Sequence, residues 1–276
     1  MEATEAAPPR AGRSLGQAVL TAVILVGLLV GSFLLGRIAF FVLVTLLVML
    51  ALYELVQMLR SSGRAVFPPI PLAAGFGLLL LAYLRLSEYF AIVLFATMFL
   101  SFIAALRPDR GPHPGSDVAW SLLAPVWVGG GGAGAVSILM LPGGRLLLVA
   151  FIVVVVLGDI GAYFVGVERG RHKIAPSISP AKSWEGFAAG VLSSFLAGTL
   201  VASVLLRVSL LEGLGLGLVC AIFGPAGDLV ESLVKREIGT KDSSHLLPGH
   251  GGMLDRLDAI AFSAVPAYLF LRFIVL

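Results

Sequence analysis

Residues 145–167 read Arg145-Leu-Leu-Leu-Val-Ala-Phe-Ile-Val-Val-Val-Val-Leu-Gly-Asp159-Ile-Gly-Ala-Tyr-Phe-Val-Gly-Val167. Past its first residue the run holds a single ionisable group of strong charge, Asp159. About 20 mostly apolar residues suffice for a helix to cross the ~30 Å hydrocarbon core of a bilayer. In lipid the backbone must satisfy its own polar groups, so such a run reads as a transmembrane helix. An acid inside it costs a few kcal/mol and is a functional candidate for that reason.

The same reading extends outward in both directions. Polar breaks delimit spans at roughly 16–36, 38–59, 68–84, 86–106, 118–141, 145–167, 187–207, 209–234 and 257–276. The third is short, and Gly129 to Gly132 in the fifth predict a broken or tightly packed helix. Hydrophobic residues make up 58% of the chain and charged residues 13%, and the mean hydropathy is +1.01. These values exclude an ordinary soluble domain. The expected fold is an all-α polytopic membrane protein of about nine helices. Its parts are a disordered tail over 1–15, N-terminal membrane helices over 16–150, and a catalytic membrane region over 151–276. The lone Cys220, in an apolar run, allows no intramolecular disulfide and reads as a small core residue.

Charge supplies the topology. With the N-terminus in the cytoplasm, fourteen cations fall inside: Arg10, Arg13, Arg60, Arg64, Arg107, Arg110, Arg169, Arg171, Lys173, Lys182, Lys235, Arg236, Lys241 and Arg256. Only Arg37, Arg85, Arg145 and Arg207 fall outside, and Arg272 lies in the last span. This is the positive-inside bias. It accounts for most of the +3 net charge, so nucleic acid is not an expected partner. It also puts loops 168–186 and 235–256 on the cytoplasmic side, where nucleotides and metal ions are available.

Those two loops and the span ends beside them carry the chemistry. Asp228, Glu231, Ser232 and Lys235 recur at helical spacing and form one stripe, with Asp228 about 10 Å deeper than Lys235 at 1.5 Å per residue. Asp228 reads either as a metal ligand or as the partner of a cation on another span. Glu231 reads equally as a site residue or as the i, i+4 partner of Lys235. Asp255-Arg256-Leu257-Asp258 opens the last span. Its acids suit a helix N-terminus, but that accounts for one of them better than for two. Magnesium takes one or two carboxylates together with phosphate oxygens and water, so Asp228 and Asp255 form a candidate pair if their helices pack together. Pro248-Gly249-His250-Gly251-Gly252 leads into that helix, where free N–H groups can cradle an anion. His250 is placed to bind phosphate, to bind metal or to cap; His172 and His245 read as loop residues. In 168–186, Lys173, Ser179 and Lys182 offer cations and a hydroxyl to phosphates, though an orientation-setting basic loop with Trp184 as interfacial anchor would look the same. Carboxylates for a divalent cation beside cations for phosphates point to phosphoryl or nucleotidyl transfer.

Residues 232–258 match the phosphatidate cytidylyltransferase (CDP-diacylglycerol synthase) signature. It runs Ser232-x-x-Lys235-Arg236, Lys241-Asp242, Pro248-Gly249-His250-Gly251-Gly252, Asp255-Arg256-x-Asp258. The stretch around Asp159 to Tyr163, and Ser179-Pro180…Lys182…Trp184-Glu185-Gly186, resemble the same family, so the likeness covers roughly 155–262. Ile160 and Ala181 depart from its usual residues, and Ser183 replaces a Thr. The resemblance implies transfer of CMP from CTP to phosphatidic acid, giving CDP-diacylglycerol and pyrophosphate. It implies magnesium on Asp228 and Asp255, a second, monovalent cation such as K+, and a homodimer in a bacterial inner membrane. It assigns Lys235, Arg236, Lys241, Asp242 and Asp258 to catalysis alongside the two metal acids. Lys173, Ser179, Lys182, Ser232, His250, Gly251, Gly252 and Arg256 go to substrate. A secondary transporter also carries membrane-depth charge, but across paired halves, whereas here the charge is concentrated in the C-terminal half. A lipid or polyprenol kinase would lack the full signature.

Overall fold

The computed structural model describes residues 15–107, 112–240, 243–244 and 251–276, with side chains from Val23 onward. The expected tail, Arg10, Arg13, Arg110, Lys241, Asp242, His245 and His250 lie outside the described residues.

The chain is a bundle of helices: α1 (Leu15–Leu35), α2 (Arg37–Ser61), α3 (Pro69–Tyr83), α4 (Phe90–Ala105), α5 (Pro114–Ala124), α6 (Gly130–Leu139), α7 (Gly144–Arg169), α8 (Trp184–Leu200), α9 (Leu210–Ile238) and α10 (Leu254–Phe270). Among the described residues seven helical stretches are long and apolar enough to cross a membrane, and two shorter apolar helices, Val23–Leu35 and Pro69–Tyr83, accompany them. The protein is an all-α integral membrane protein. Large apolar side chains such as Leu35, Ile92, Phe95, Val167 and Leu211 face outward, as a lipid-facing surface requires.

The glycine-rich fifth span is unbroken but widened. α5 passes through a π-helical stretch, Pro125–Gly129, into α6. There Gly129, Gly131, Gly132 and Gly134 are buried, and Gly134 lies against the backbone of α10. α9 starts with a capping box, in which the Ser209 hydroxyl accepts from Glu212 N–H and Glu212 accepts from Ser209 N–H. It runs without interruption through Pro225 and stops at Gly239, whose φ of +79° suits a residue without a side chain. At Gly227 the backbone of α10 comes so near that a Cβ would lie 2.5 Å from the Asp258 carbonyl oxygen. Small residues allow such approach where no hydrophobic force drives helices together in lipid.

One element departs from the all-α expectation. Residues read as an irregular loop form a two-stranded antiparallel hairpin, β1 (Lys173–Ala175) and β2 (Ser179–Ser183), with Lys173 opposite Ser183 and Ala175 opposite Ser179. The proline-containing turn folds the chain back, and Glu185 holds its base by accepting from the backbone N–H groups of Arg171 and His172 and pairing with His172 Nδ1 at 2.6 Å. His172 is thus a loop residue, as expected. The Ser183 hydroxyl caps α8 by accepting from Gly186 N–H.

The connections sort into two groups. Arg64 pairs with Glu237 at 3.3 Å and donates to the Ser116 hydroxyl, while Arg236 Nε donates to the Ile178 carbonyl at 3.1 Å. At other connections Arg85 donates to the Met140 carbonyl at 2.7 Å and Arg145 to the Phe33 carbonyl at 3.5 Å. Segments that the charge count assigns to one side therefore touch segments of that same side.

Candidate active site

The close contact at Gly227 seats the next residue, Asp228, beside the start of α10. The Asp258 carboxyl, 8% exposed, faces those of Asp228 and Glu231, and Glu231 in turn faces Asp255. Four acids from two helices thus form one row. Lys235 Nζ lies between two of them, 2.7 Å from Glu231 Oε1 and hydrogen-bonded to Asp255 Oδ1. Both readings of Glu231 therefore meet in one place: it is the i, i+4 partner of Lys235 and a member of the cluster.

The hairpin supplies the second cation. Lys182 Nζ sits 2.8 Å from Asp228 Oδ2 and donates to the Pro225 carbonyl at 3.3 Å. Loop 168–186 and the end of α9, far apart in sequence, are joined here and again through Arg236 and Ile178. Asp228 thus has an ion partner, supplied by the hairpin and not, as one of its two readings had it, by another span. Beside this pair opens a cavity of about 460 Å3. Its lining includes the polar Asp159, Ser179, Lys182 and Asp228 together with the apolar side chains of Tyr163, Val167, Phe187 and Ile222. That lining suits a ligand with a charged head and a hydrocarbon body.

The remaining sequence candidates are dispersed. Lys173 is exposed on β1, Arg236 is exposed at the end of α9, and Ser232 is half-buried next to Glu231. Arg256 lines a different space, a cavity of about 250 Å3 among α1, α2, α6, α7 and α10. The glycine turn differs from the expected open anion cradle. Gly251 has a φ of +82°, and Gly252 N–H donates to Asp255 Oδ2 at 2.9 Å. Two residues on, Leu254 N–H goes to Glu54 Oε2 at 2.9 Å. Protein carboxylates take two of the donors that a phosphate would have used. Sequence reasoning does not single out Glu54, although the rule that selects Asp159, an acid inside an apolar run, applies to it equally.

Does this arrangement fit magnesium? Among the described residues no three His, Cys, Asp or Glu side chains are already set to enclose an ion. The ion needs only one or two carboxylates when phosphate and water complete its shell. Asp228, Glu231, Asp255 and Asp258 offer hard oxygen donors, and two ammonium groups, Lys182 and Lys235, stand against them. Excess negative charge at low dielectric is costly, and a divalent cation would relieve it. The donor set fits.

A model of the cytidylyltransferase family matches residues 16–274. The chain is 35% identical to the phosphatidate cytidylyltransferase of Mycobacterium bovis, over 95% of this chain and 90% of that one. It is 34% identical to the Pseudomonas aeruginosa enzyme of that name, over 92% of this chain and 95% of its relative. For the Bacillus subtilis enzyme of that name the identity is 32%, over 89% and 93%. Likeness therefore extends through the N-terminal helices, well beyond the 155–262 carried by the motifs. The chain belongs to the phosphatidate cytidylyltransferase family.

Proposed function

We propose that this enzyme transfers CMP from CTP to phosphatidic acid, yielding CDP-diacylglycerol and pyrophosphate. The observation that carries this reading is the joining of the hairpin to α9 through Lys182 and Asp228, beside a cavity whose lining combines charged and apolar residues. The names of relatives matched along nearly the whole chain support it.

In this reading an ionised oxygen of the lipid phosphate forms a bond to the α-phosphorus of CTP. The bond from that phosphorus to the bridging oxygen breaks, and pyrophosphate leaves with the electron pair. A phosphate monoester has its second pKa near 6, so the attacking oxygen needs no strong base. Asp228 and Asp255 would hold the magnesium ion, which supplies charge neutralisation and a template for the phosphates. Lys182 and Lys235 orient those acids before substrate enters and are positioned to turn toward phosphate oxygens. Arg236, with its planar pair of donors, suits a phosphate at the cytoplasmic rim. Lys173, Ser179, Ser232, Gly251, Gly252 and Arg256 remain proposed substrate contacts, with Asp258 in catalysis. Lys241, Asp242 and His250 keep the roles the resemblance implies, as do the monovalent cation and the homodimer.

The proposed setting is a bacterial inner membrane, crossed nine times from a cytoplasmic N-terminus, with the catalytic region over 151–276. Seven long and two shorter apolar helices among the described residues, and the contacts of Arg64, Arg236, Arg85 and Arg145 within their own groups, support that parity. Purified protein given labelled CTP and phosphatidic acid should form a labelled lipid with magnesium and none after chelation. Labelling that survives chelation would remove the metal from this account.

A further inference from the structure

Glu54 lies in α2, among Leu52, Leu55 and Val56, and is only 3% exposed. A carboxylate in such surroundings costs several kcal/mol unless hydrogen bonds compensate it. Its partners come from the far end of the chain. Ser244 Oγ donates to Oε1 at 2.6 Å, and Leu254 N–H donates to Oε2 at 2.9 Å. A Cβ on Gly252 would lie 2.7 Å from Oε2. One side chain thus joins Ser244, beyond the end of α9, to Leu254, the first residue of α10. It supplies the negative charge that a helix N-terminus favours. One residue further along, Asp255 takes Gly252 N–H on one oxygen and Lys235 on the other.

We infer that Glu54 is a positioning residue of the active site: it latches the glycine turn to α2 and thereby fixes the direction in which Asp255 leaves α10. The effect on turnover rests on the reaction proposed above; the latch itself does not. Glu54 touches no substrate, so its loss acts on the geometry of the acids more than on binding.

The test compares Glu54→Leu, Glu54→Gln and Ser244→Ala in the full-length purified protein, reading kinetics and amide hydrogen exchange without substrate. Glu54→Leu is expected to lower kcat tenfold or more with KM for CTP within threefold. Exchange at 251–255 should quicken while α7 and α8 stay protected. Glu54→Gln keeps a carbonyl acceptor for Leu254 N–H and should recover kcat to within threefold of wild type. Ser244→Ala should cost two- to fivefold and quicken exchange at 243–244. Wild-type exchange at 251–255 in Glu54→Leu, with or without loss of turnover, overturns the latch. So does a loss of protection spread equally over α7 and α8, which marks general destabilisation. If Glu54→Leu does not accumulate in the membrane, unchanged exchange in Ser244→Ala overturns it instead. Because exchange is read without substrate, failure of the latch is distinguishable from failure of the assigned reaction.

Discussion

Replacing Gly227 by alanine probes how the acids are held together. The new Cβ would lie 2.5 Å from the Asp258 carbonyl oxygen and 2.7 Å from Phe262 Cβ. Ordinary contact begins near 3.4 Å, so α9 and α10 must separate there by about 0.9 Å. Neither neighbour is the free end of a flexible side chain, so backbone has to move. Overpacking of this kind costs typically 1–3 kcal/mol. The displacement falls next to Asp228 and directly on Asp258, and a ~1 Å misplacement of reacting groups can cost about 100-fold in rate. Gly224, one helical turn earlier, is the control, since a Cβ there meets only Ser263 Oγ, at 3.7 Å. In detergent, Gly227→Ala is expected to melt several degrees lower and to lose roughly 10- to 100-fold in kcat, whereas Gly224→Ala should match wild type in both. Equal behaviour of the two variants, or wild-type turnover in Gly227→Ala, would refute the claim that this helix contact sets the site.

Three further outcomes are expected. Asp228→Asn and Asp255→Asn should each abolish turnover while leaving a folded membrane protein, because shape is kept and a charged oxygen is lost; near-normal turnover of either at saturating magnesium would remove it from the metal site. Lys182→Ala and Arg236→Ala should lower kcat/KM tenfold or more, about 1.4 kcal/mol, and unchanged kinetics in both would leave them as topology signals. Reporter fusions after Leu276 and near Ser179 should report opposite sides of the membrane, and finding both on one side would overturn the nine-span order.

Much of this was legible in the sequence because it is written at short range. Membrane helices announce themselves by hydropathy, and the stripe Asp228, Glu231, Ser232, Lys235 follows from helical periodicity alone. The segregation of connections follows from counting Lys and Arg. What stayed hidden depends on packing between distant segments. That Lys182 meets Asp228 requires the 173–183 hairpin, whose short, proline-flanked strands carry no strong alternation. That Gly252 and Leu254 give their N–H groups to Asp255 and Glu54 could not be read from a glycine-rich turn, which looks the same whether it cradles a ligand or the protein's own carboxylates. Glu54 was visible as an acid in an apolar run, but its partners lie at the opposite end of the chain, and hydropathy holds no information on which helices touch.

In the proposed reaction a lipid phosphate attacks the α-phosphorus of CTP at the row of acids between α9 and α10. The direct measurement incubates purified enzyme and phosphatidic acid with CTP labelled in turn at its α- and γ-phosphates. The α-label should enter the lipid product, the γ-label should leave as pyrophosphate, and Asp255→Asn should form neither. Transfer of γ-label to lipid would instead mean a kinase and overturn the proposed reaction.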